Sequence, residues 1–421
     1  MQTNRRGFLM GCSAAIAALS GARLGTLALA APDAGNGHAL VVLFLRGGWD
    51  ALNVLPPLDG PDRGIYEAAR PGLKLPRSGE RAALPLGDQF GLHPAMAPLR
   101  ELYQAGALGL VTATGLTGET RSHFDAMDFI ERGSSGEVGL GPLGDGWLAR
   151  HLASAPGAAG GVDVLSPALS VGGSPAASLR GQDALALQDA GDFRLDDSPE
   201  GRRWLEEALS GLYRGESWLH RAGQHTLRDL RMIAGAQLAA PKGYPDSELG
   251  HSLGTVAQIL RAGLGVRVAT VDFGGWDTHE YQGDGGQGHL AELLGELSTA
   301  LHAFWADVSG AGLGGRVTVI VQSEFGRRLT QNASGGTDHG HGGLSLLLGA
   351  GVKGGRIHGR WPGLAPGALY DGADLAVTTD YRQVLGEVLG GPAGNPHLDK
   401  VFPGFKAGPA LGVVNGPAAG G

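Results

Sequence analysis

Cysteine is almost absent: the 421 residues hold one, Cys12. It lies in a segment that reads as a removable export signal. The chain left after removal has no disulfide and no thiolate, so a metal would have to be held by nitrogen and oxygen. Charge is also sparse, at 18% of residues, with a net charge of -8 and no basic run. That excludes a general nucleic-acid binder. Past the first 31 residues no stretch is long and apolar enough to span a bilayer, so no stable membrane anchor is expected there. Glycine is abundant, at 76 residues, but it has neither a collagen period nor a repeat. The hydrophobic share of 42% supports a true core. About 390 residues remain after the signal, enough for one large or two ordinary domains.

The signal itself is specific. Thr3-Asn4-Arg5-Arg6-Gly7-Phe8-Leu9 is a twin-arginine motif, an apolar run follows from Leu9 to Ala31, and Ala28-Leu29-Ala30 has the small-x-small form of a cleavage site. The expectation is export by the twin-arginine pathway to the periplasm or beyond. That route carries folded proteins.

The pattern past the signal alternates between strands and helices. Ala39–Leu45 is a fully apolar strand running into Arg46-Gly47-Gly48-Trp49-Asp50, and Leu108–Thr112 reads as a second strand. Ser122 is placed as the N-cap of a helix running to about Arg132, with Asp125 at N3 in a capping-box-like pattern. Residues 133–197 are loop-rich, with a weak strand near Ala168–Val171, and about 199–265 reads as a helical insertion. Val266–Phe273 returns as a strand, and Gln287–Val308 is an amphipathic helix with Leu290, Leu293, Leu294, Leu297, Leu301 and Phe304 inward. Val317–Val321 and Leu344–Leu348 read as strands and Thr379–Leu389 as a late helix. The fold class expected is α/β: a three-layer sandwich with a mostly parallel central sheet and helices on both faces, in one domain from residue 32 to 421.

The chemistry gathers between Val317 and Gly343. A buried strand leads into Ser323, Glu324 and Arg327, and a glycine-rich loop then presents Asp338, His339 and His341 within four positions. A carboxylate and imidazoles on a loop past a strand end are what a divalent ion needs, though a polar surface loop would read the same way. Two other motifs fail on context. Gly250-His251-Ser252-Leu253-Gly254 has the letters of a hydrolase nucleophile elbow, but no hydrophobic strand precedes it. Gly139–Gly144 has the letters of a dinucleotide fingerprint, without the strand or the ribose-binding acid.

Five stretches together carry a resemblance: Leu43–Asp50, Thr120–Phe124, Gly274–His279, Ser323–Arg327 and Thr337–Gly343. On them the chain resembles the twin-arginine-exported, sulfatase-like bacterial family of unknown function within the alkaline phosphatase superfamily. The resemblance implies an alkaline-phosphatase-like fold and hydrolysis of phosphate or sulfate esters, with an anionic substrate or ligand and an exported protein partner. Metal-dependent members of that superfamily use two ion positions. Here Arg46 and the Glu324-Phe325 pair stand where ligands of one position are expected, so that position is lost or rebuilt. The other resembles Asp277 and His279 with His339 or His341, a set suited to one ion of zinc, or of calcium or manganese. Asp338 is either a further ligand or a group that orients His339. Ser122 is the expected nucleophile, at a helix N-terminus that favours an anion, and Arg46 the expected electrostatic clamp, with Arg121 and Arg327 as further candidates. The alternative is a non-catalytic relative that keeps the fold and binds a partner or an anionic ligand.

Overall fold

The structure is a computed structural model describing residues 37–136, 144–156, 165–190, 193–196, 198–236 and 238–415. The expected export signal, residues 1–31 with Cys12, lies outside the described residues, as does all but the last residue of the Gly139–Gly144 stretch.

Among the described residues nine strands make the main sheet: β1 (Ala39–Leu45), β2 (Leu108–Gly115), β3 (Ala168–Val171), β4 (Ala184–Leu187), β5 (Val268–Phe273), β6 (Val317–Ser323), β7 (Gly343–Gly349), β8 (Ile357–His358) and β9 (Thr379–Asp380). Their order is β8-β2-β7-β6-β1-β5-β3-β4, with β9 also on β2. β1 lies at the centre, pairing in parallel with β5 and β6; Leu43 stands opposite Val271 on one side and Val321 on the other. All seven of its residues are buried, which is why it reads as one apolar run and not as an alternation. β7 alone runs antiparallel, to β6 and to β2; the other pairings are parallel.

The helices are α1 (Ala51–Val54), α2 (Gly60–Ala69), α3 (Ala97–Gln104), α4 (His123–Arg132), α5 (Trp147–Ser154), α6 (Pro199–Leu212), α7 (Trp218–Gly235), α8 (Glu248–Arg261), α9 (His289–Gly310), α10 (Tyr381–Gly390) and α11 (Leu398–Val401). Side chains of a strand alternate faces, and β1 sorts the two cores accordingly. Val41, Leu43 and Leu45 pack with α3, α8 and α9. Leu40, Val42 and Phe44 pack with α4, α5, α10 and α11. The expected three-layer α/β sandwich is thus what the chain forms. α9 shows how the pattern works, burying Leu290, Leu294, Leu297, Leu301, Phe304 and Val308 at alternating spacings of four and three.

The helical stretch from 199 to 265 divides in two. α6 buries none of its residues and pairs with α7, so these two form the insertion. α8 packs on β5, β3 and α9 and belongs to the layer covering the sheet. Ser252 lies inside α8 with no strand ahead of it, so the elbow geometry is absent. Among the described residues no helix is long and apolar enough to cross a membrane.

The direction of β7 has a consequence for function. β1, β5 and β6 end at one edge of the sheet, where α/β folds place ligands. Because β7 runs the opposite way, the loop before it, 337–342, arrives at that same edge.

Candidate metal centre

The loop after β1 is a close fit. Gly47 sits at φ +124, and a Cβ there would meet the Asp277 backbone nitrogen at 2.5 Å. Only glycine suits that conformation and that approach. Arg327, 1% exposed, ties the three strand-end loops together. It donates to the carbonyls of Gly47, Gly48 (2.5 Å), Trp276 (3.0 Å) and Thr337 (2.9 Å) and to Asp277 Oδ1 (2.6 Å). Arg327 therefore builds the site and has no face left for substrate, a correction to its reading as a clamp.

Asp277 Oδ1 is the centre of the cluster. Besides Arg327 it stands 3.1 Å from His279 Nε2, 3.1 Å from His339 Nε2 and 3.3 Å from His123 Nε2. His279 Nε2 and His339 Nε2 are 2.8 Å apart. Burial pushes the Asp277 carboxyl up, but the Arg327 hydrogen bond and charge, with His339 and His123, outweigh it and hold the pKa at about 2. It is a carboxylate at any physiological pH.

The far nitrogen of each ring is committed to an oxygen. His123 Nδ1 faces Glu324 Oε1 at 2.7 Å, His279 Nδ1 faces Asp338 Oδ1 at 3.2 Å, and His339 Nδ1 faces the Arg121 carbonyl at 2.8 Å. A carbonyl or carboxylate oxygen only accepts, so each Nδ1 carries the proton. Each neutral ring then turns an Nε2 lone pair toward Asp277. Three lone pairs and one carboxylate oxygen converge, and two of the Nε2 atoms approach to hydrogen-bond distance. Only protons or a cation can make that arrangement favourable. With Zn–N bonds of about 2.0–2.1 Å, tetrahedral ligands stand roughly 3.3 Å apart, close to the separations here. The ligand atoms of His123, Asp277 and His339 all lie within 4.8 Å of one another, and His279 Nε2 adjoins both Asp277 (3.1 Å) and His339 (2.8 Å).

The outer partners are firmly held. Glu324 is fully buried and accepts also from the Gly47 amide (2.8 Å) and the Ser323 hydroxyl (2.8 Å). Burial raises its pKa, yet these bonds and the one to His123 bring it below the ordinary value. Glu324 in turn raises His123, against a smaller lowering by burial. Burial lowers His339. The Asn332 amide, then His279, hold Asp338 down.

The structure places the expected site residues unequally. Asp277, His279 and His339 come together. His341 does not: it stacks on Tyr370 with ring centres 4.0 Å apart, and burial with the Arg121 charge depresses its pKa to about 4. An extended chain would put residues two apart on one face, but this loop is not a strand, and His339 goes to the cluster while His341 goes to Tyr370. Asp338 orients His279, not His339. Arg46, expected to point at substrate, is held by Glu131 through two bonds of 3.1 Å and by Asp272 at 2.9 Å, over the Phe44 ring. Burial opposes its charge, but those two carboxylates raise its pKa overall. It fastens β1 to α4. Arg121 likewise faces Asp374 (2.6 Å) and Asp371 (3.0 Å). Asp50 is buried on Arg70 and Gln282. Ser122 is exposed and caps α4, accepting from the Asp125 amide at 3.4 Å.

Two residues of the cluster and its surround were given no such role in the sequence reading. His123 follows the serine that drew attention as a cap and nucleophile, and Glu324 stands where a ligand was sought and serves one shell out. The histidine beside the expected nucleophile was the available signal. Phe325, which cannot ligate, packs against the rings of His123 (4.8 Å) and His339 (5.0 Å) and forms a wall of the cluster.

These features define an α/β protein with a histidine–carboxylate cluster at the ends of its central strands. The chain belongs to the family described as protein of unknown function DUF1501, whose model matches residues 38–400. Among solved structures it is similar to a protein in the alkaline phosphatase superfamily from Vibrio parahaemolyticus. The two are 11% identical with a TM-score of 0.33, over 85% of this chain and 71% of that one, a likeness too slight to carry an argument about function. Comparison with curated proteins gives no match.

Proposed function

We propose that the cluster holds one divalent cation and that the protein is an exported hydrolase of phosphate or sulfate esters. The observation that supports it most is the set of three imidazoles, each with Nδ1 tied to an oxygen and Nε2 turned to Asp277 Oδ1. Oriented in this way, histidines are metal ligands with their outer partners in place. The nitrogen-rich set suits zinc or manganese better than calcium, which prefers six or more oxygens. A bound ion of this kind polarises a phosphoryl or sulfuryl oxygen. Around it the chain's own residues do the rest. Arg327 fixes Asp277 from behind. Arg328, half-buried and 3.8 Å from Asp374, contributes positive charge beside Asp338 and replaces Arg46 as our candidate for steadying an anion. Ser122 remains the candidate nucleophile, exposed at the positive end of α4.

A second reading has its own observation: Arg46, Arg121 and Arg327 are each already paired with carboxylates. A site with few free cations favours a binding relative that takes an anionic ligand or an exported partner protein without turning it over. One experiment separates the two. Elemental analysis and titration should give one ion per chain, lost in Asp277→Asn. Aryl phosphates, phosphodiesters and sulfates are then offered to the loaded protein. Turnover supports the hydrolase; anion binding without turnover moves the protein to the second reading. Two ions per chain, or none, would overturn the cation proposal.

A further inference from the structure

We propose that the rings of Phe124 and Tyr281 form an aromatic rim over the cluster and select esters whose alcohol part is a flat apolar ring, aryl esters foremost. This rests on the reading of the cluster as a cation site for an anionic ester.

Six large hydrophobic side chains stand exposed among the described residues, and Phe124 (85%) and Tyr281 (81%) are the most exposed of them. The others belong to α6 and α7, in the insertion. Phe124 directly follows His123, and Tyr281 comes two residues after His279. Consecutive Cα atoms are about 3.8 Å apart, so both rings spring from backbone next to residues of the cluster. Phe124 is in the first turn of α4, where Cα–Cβ bonds tilt toward the helix N-terminus. That end carries Ser122 and, just before it, the Arg121 carbonyl that holds His339.

The backbone of Tyr281 adds an independent observation. It adopts φ +51, a left-handed conformation that a bulky residue rarely takes. The turn is enforced from both sides. The Tyr281 amide donates to Ser334 O at 3.2 Å and the Gln282 amide to Gly335 O at 3.1 Å. Gln282, 1% exposed, is fixed by Asp50, Thr278 and Thr337. A strained turn that exposes an aromatic ring gains nothing for the core; it presents the ring to a ligand. The cluster is open in the same region, His279 being 42% and Asp277 48% exposed. The anionic end of an ester would meet the cluster while its ring lies on the rim. One aromatic contact of ordinary strength is a factor of roughly three to ten in affinity.

The test is calorimetry on the zinc-loaded full chain with two inert anions, phenylphosphonate and methylphosphonate, after zinc binding itself has been titrated. The wild type should bind phenylphosphonate about tenfold more tightly. Phe124→Ala and Tyr281→Ala should each cut that preference about threefold and leave zinc and methylphosphonate affinity unchanged. Tyr281→Gly guards against a folding artefact: glycine relieves the left-handed backbone, so thermal stability should hold or rise while the aryl preference falls. Equal affinity for the two probes in the wild type, or an undiminished preference in the double variant, overturns the inference while leaving the cation reading intact. Failure to bind zinc at all overturns the cation reading, and this inference with it.

Discussion

At the scale of single residues, the cluster's behaviour depends on which imidazole atoms carry protons. Glu324 and Asp338 decide this for His123 and His279, and a backbone carbonyl decides it for His339. Losing an outer partner typically costs 10–100-fold in metal affinity. Glu324→Gln should therefore weaken zinc binding by about that factor, since an amide can present its nitrogen to His123 and release the tautomer; competition with a chromogenic chelator measures it. Protons and metal also compete here. His123 has a raised pKa, so without metal its contribution to stability is present below the ordinary histidine value and fades as pH rises through the raised one. Asp277 acts at the other end: its contribution is present above the ordinary aspartate value and is lost only as pH falls toward about 2. Metal needs the neutral rings. Burial acts the other way on five more histidines: His38, His93, His151 and His341 are lowered to about 4, and His339 is lowered as well, so their contribution is lost as pH falls below the ordinary histidine value. The metal-free protein should thus melt higher at pH 8.5 than at pH 6, and saturating zinc should widen that difference. A difference that zinc leaves unchanged in a thermal melt series would count against the cluster as a metal centre.

At the scale of elements, α4 does two things at once. Its first residue, His123, lies in the cluster, and Glu131 in its last turn anchors Arg46 at the end of β1. Ser122 is a cap in the structure and a nucleophile in the proposal, and two substitutions tell these roles apart. Ser122→Ala should cost about 1 kcal/mol of stability through the lost cap. Ser122→Asp keeps a capping oxygen and should leave stability within a few tenths of the wild type, while removing the hydroxyl. If Ser122 attacks the ester, both variants lose turnover. If it only caps, urea denaturation separates them and turnover does not. The helix itself was legible in advance, because Ser122, Asp125 and the apolar spacing to Ile130 agree on one frame. α6 was legible as a helix too, but that it buries no residue was not, since amphipathicity states only that one face is apolar.

At the scale of the whole molecule, the sheet gathers the site from stretches more than two hundred residues apart. Strands β5, β1 and β6 deliver Asp277, Gly47 and Glu324, and the reversed β7 brings His339 to the same edge. The remaining whole-chain prediction concerns the segment before residue 37. On the proposal that the arginine pair is an export address, Arg5→Lys with Arg6→Lys should leave the protein in the cytoplasm; fractionation showing normal export of that variant would end that proposal.

The sequence by itself determined the class of fold and the parts list. Ala39–Leu45 and Val317–Val321 could be nothing but buried strands, the spacing of Leu290 to Val308 nothing but a buried-face helix, and Asp277, His279 and His339 stood out as donors. These are local properties, written in periods of two and 3.6. What only the tertiary structure decided is where side chains point once loops converge. His339 and His341 are equivalent in sequence, yet one meets Asp277 and the other Tyr370. Arg46 and Arg327 are the same residue type, yet one is fastened to Glu131 and Asp272 and the other buried behind Asp277. His123 entered the site only because α4 was brought against Glu324, 201 residues away. No spacing along the chain encodes such a meeting; it follows from the strand order and from the reversal of β7, which depend on all the packing at once.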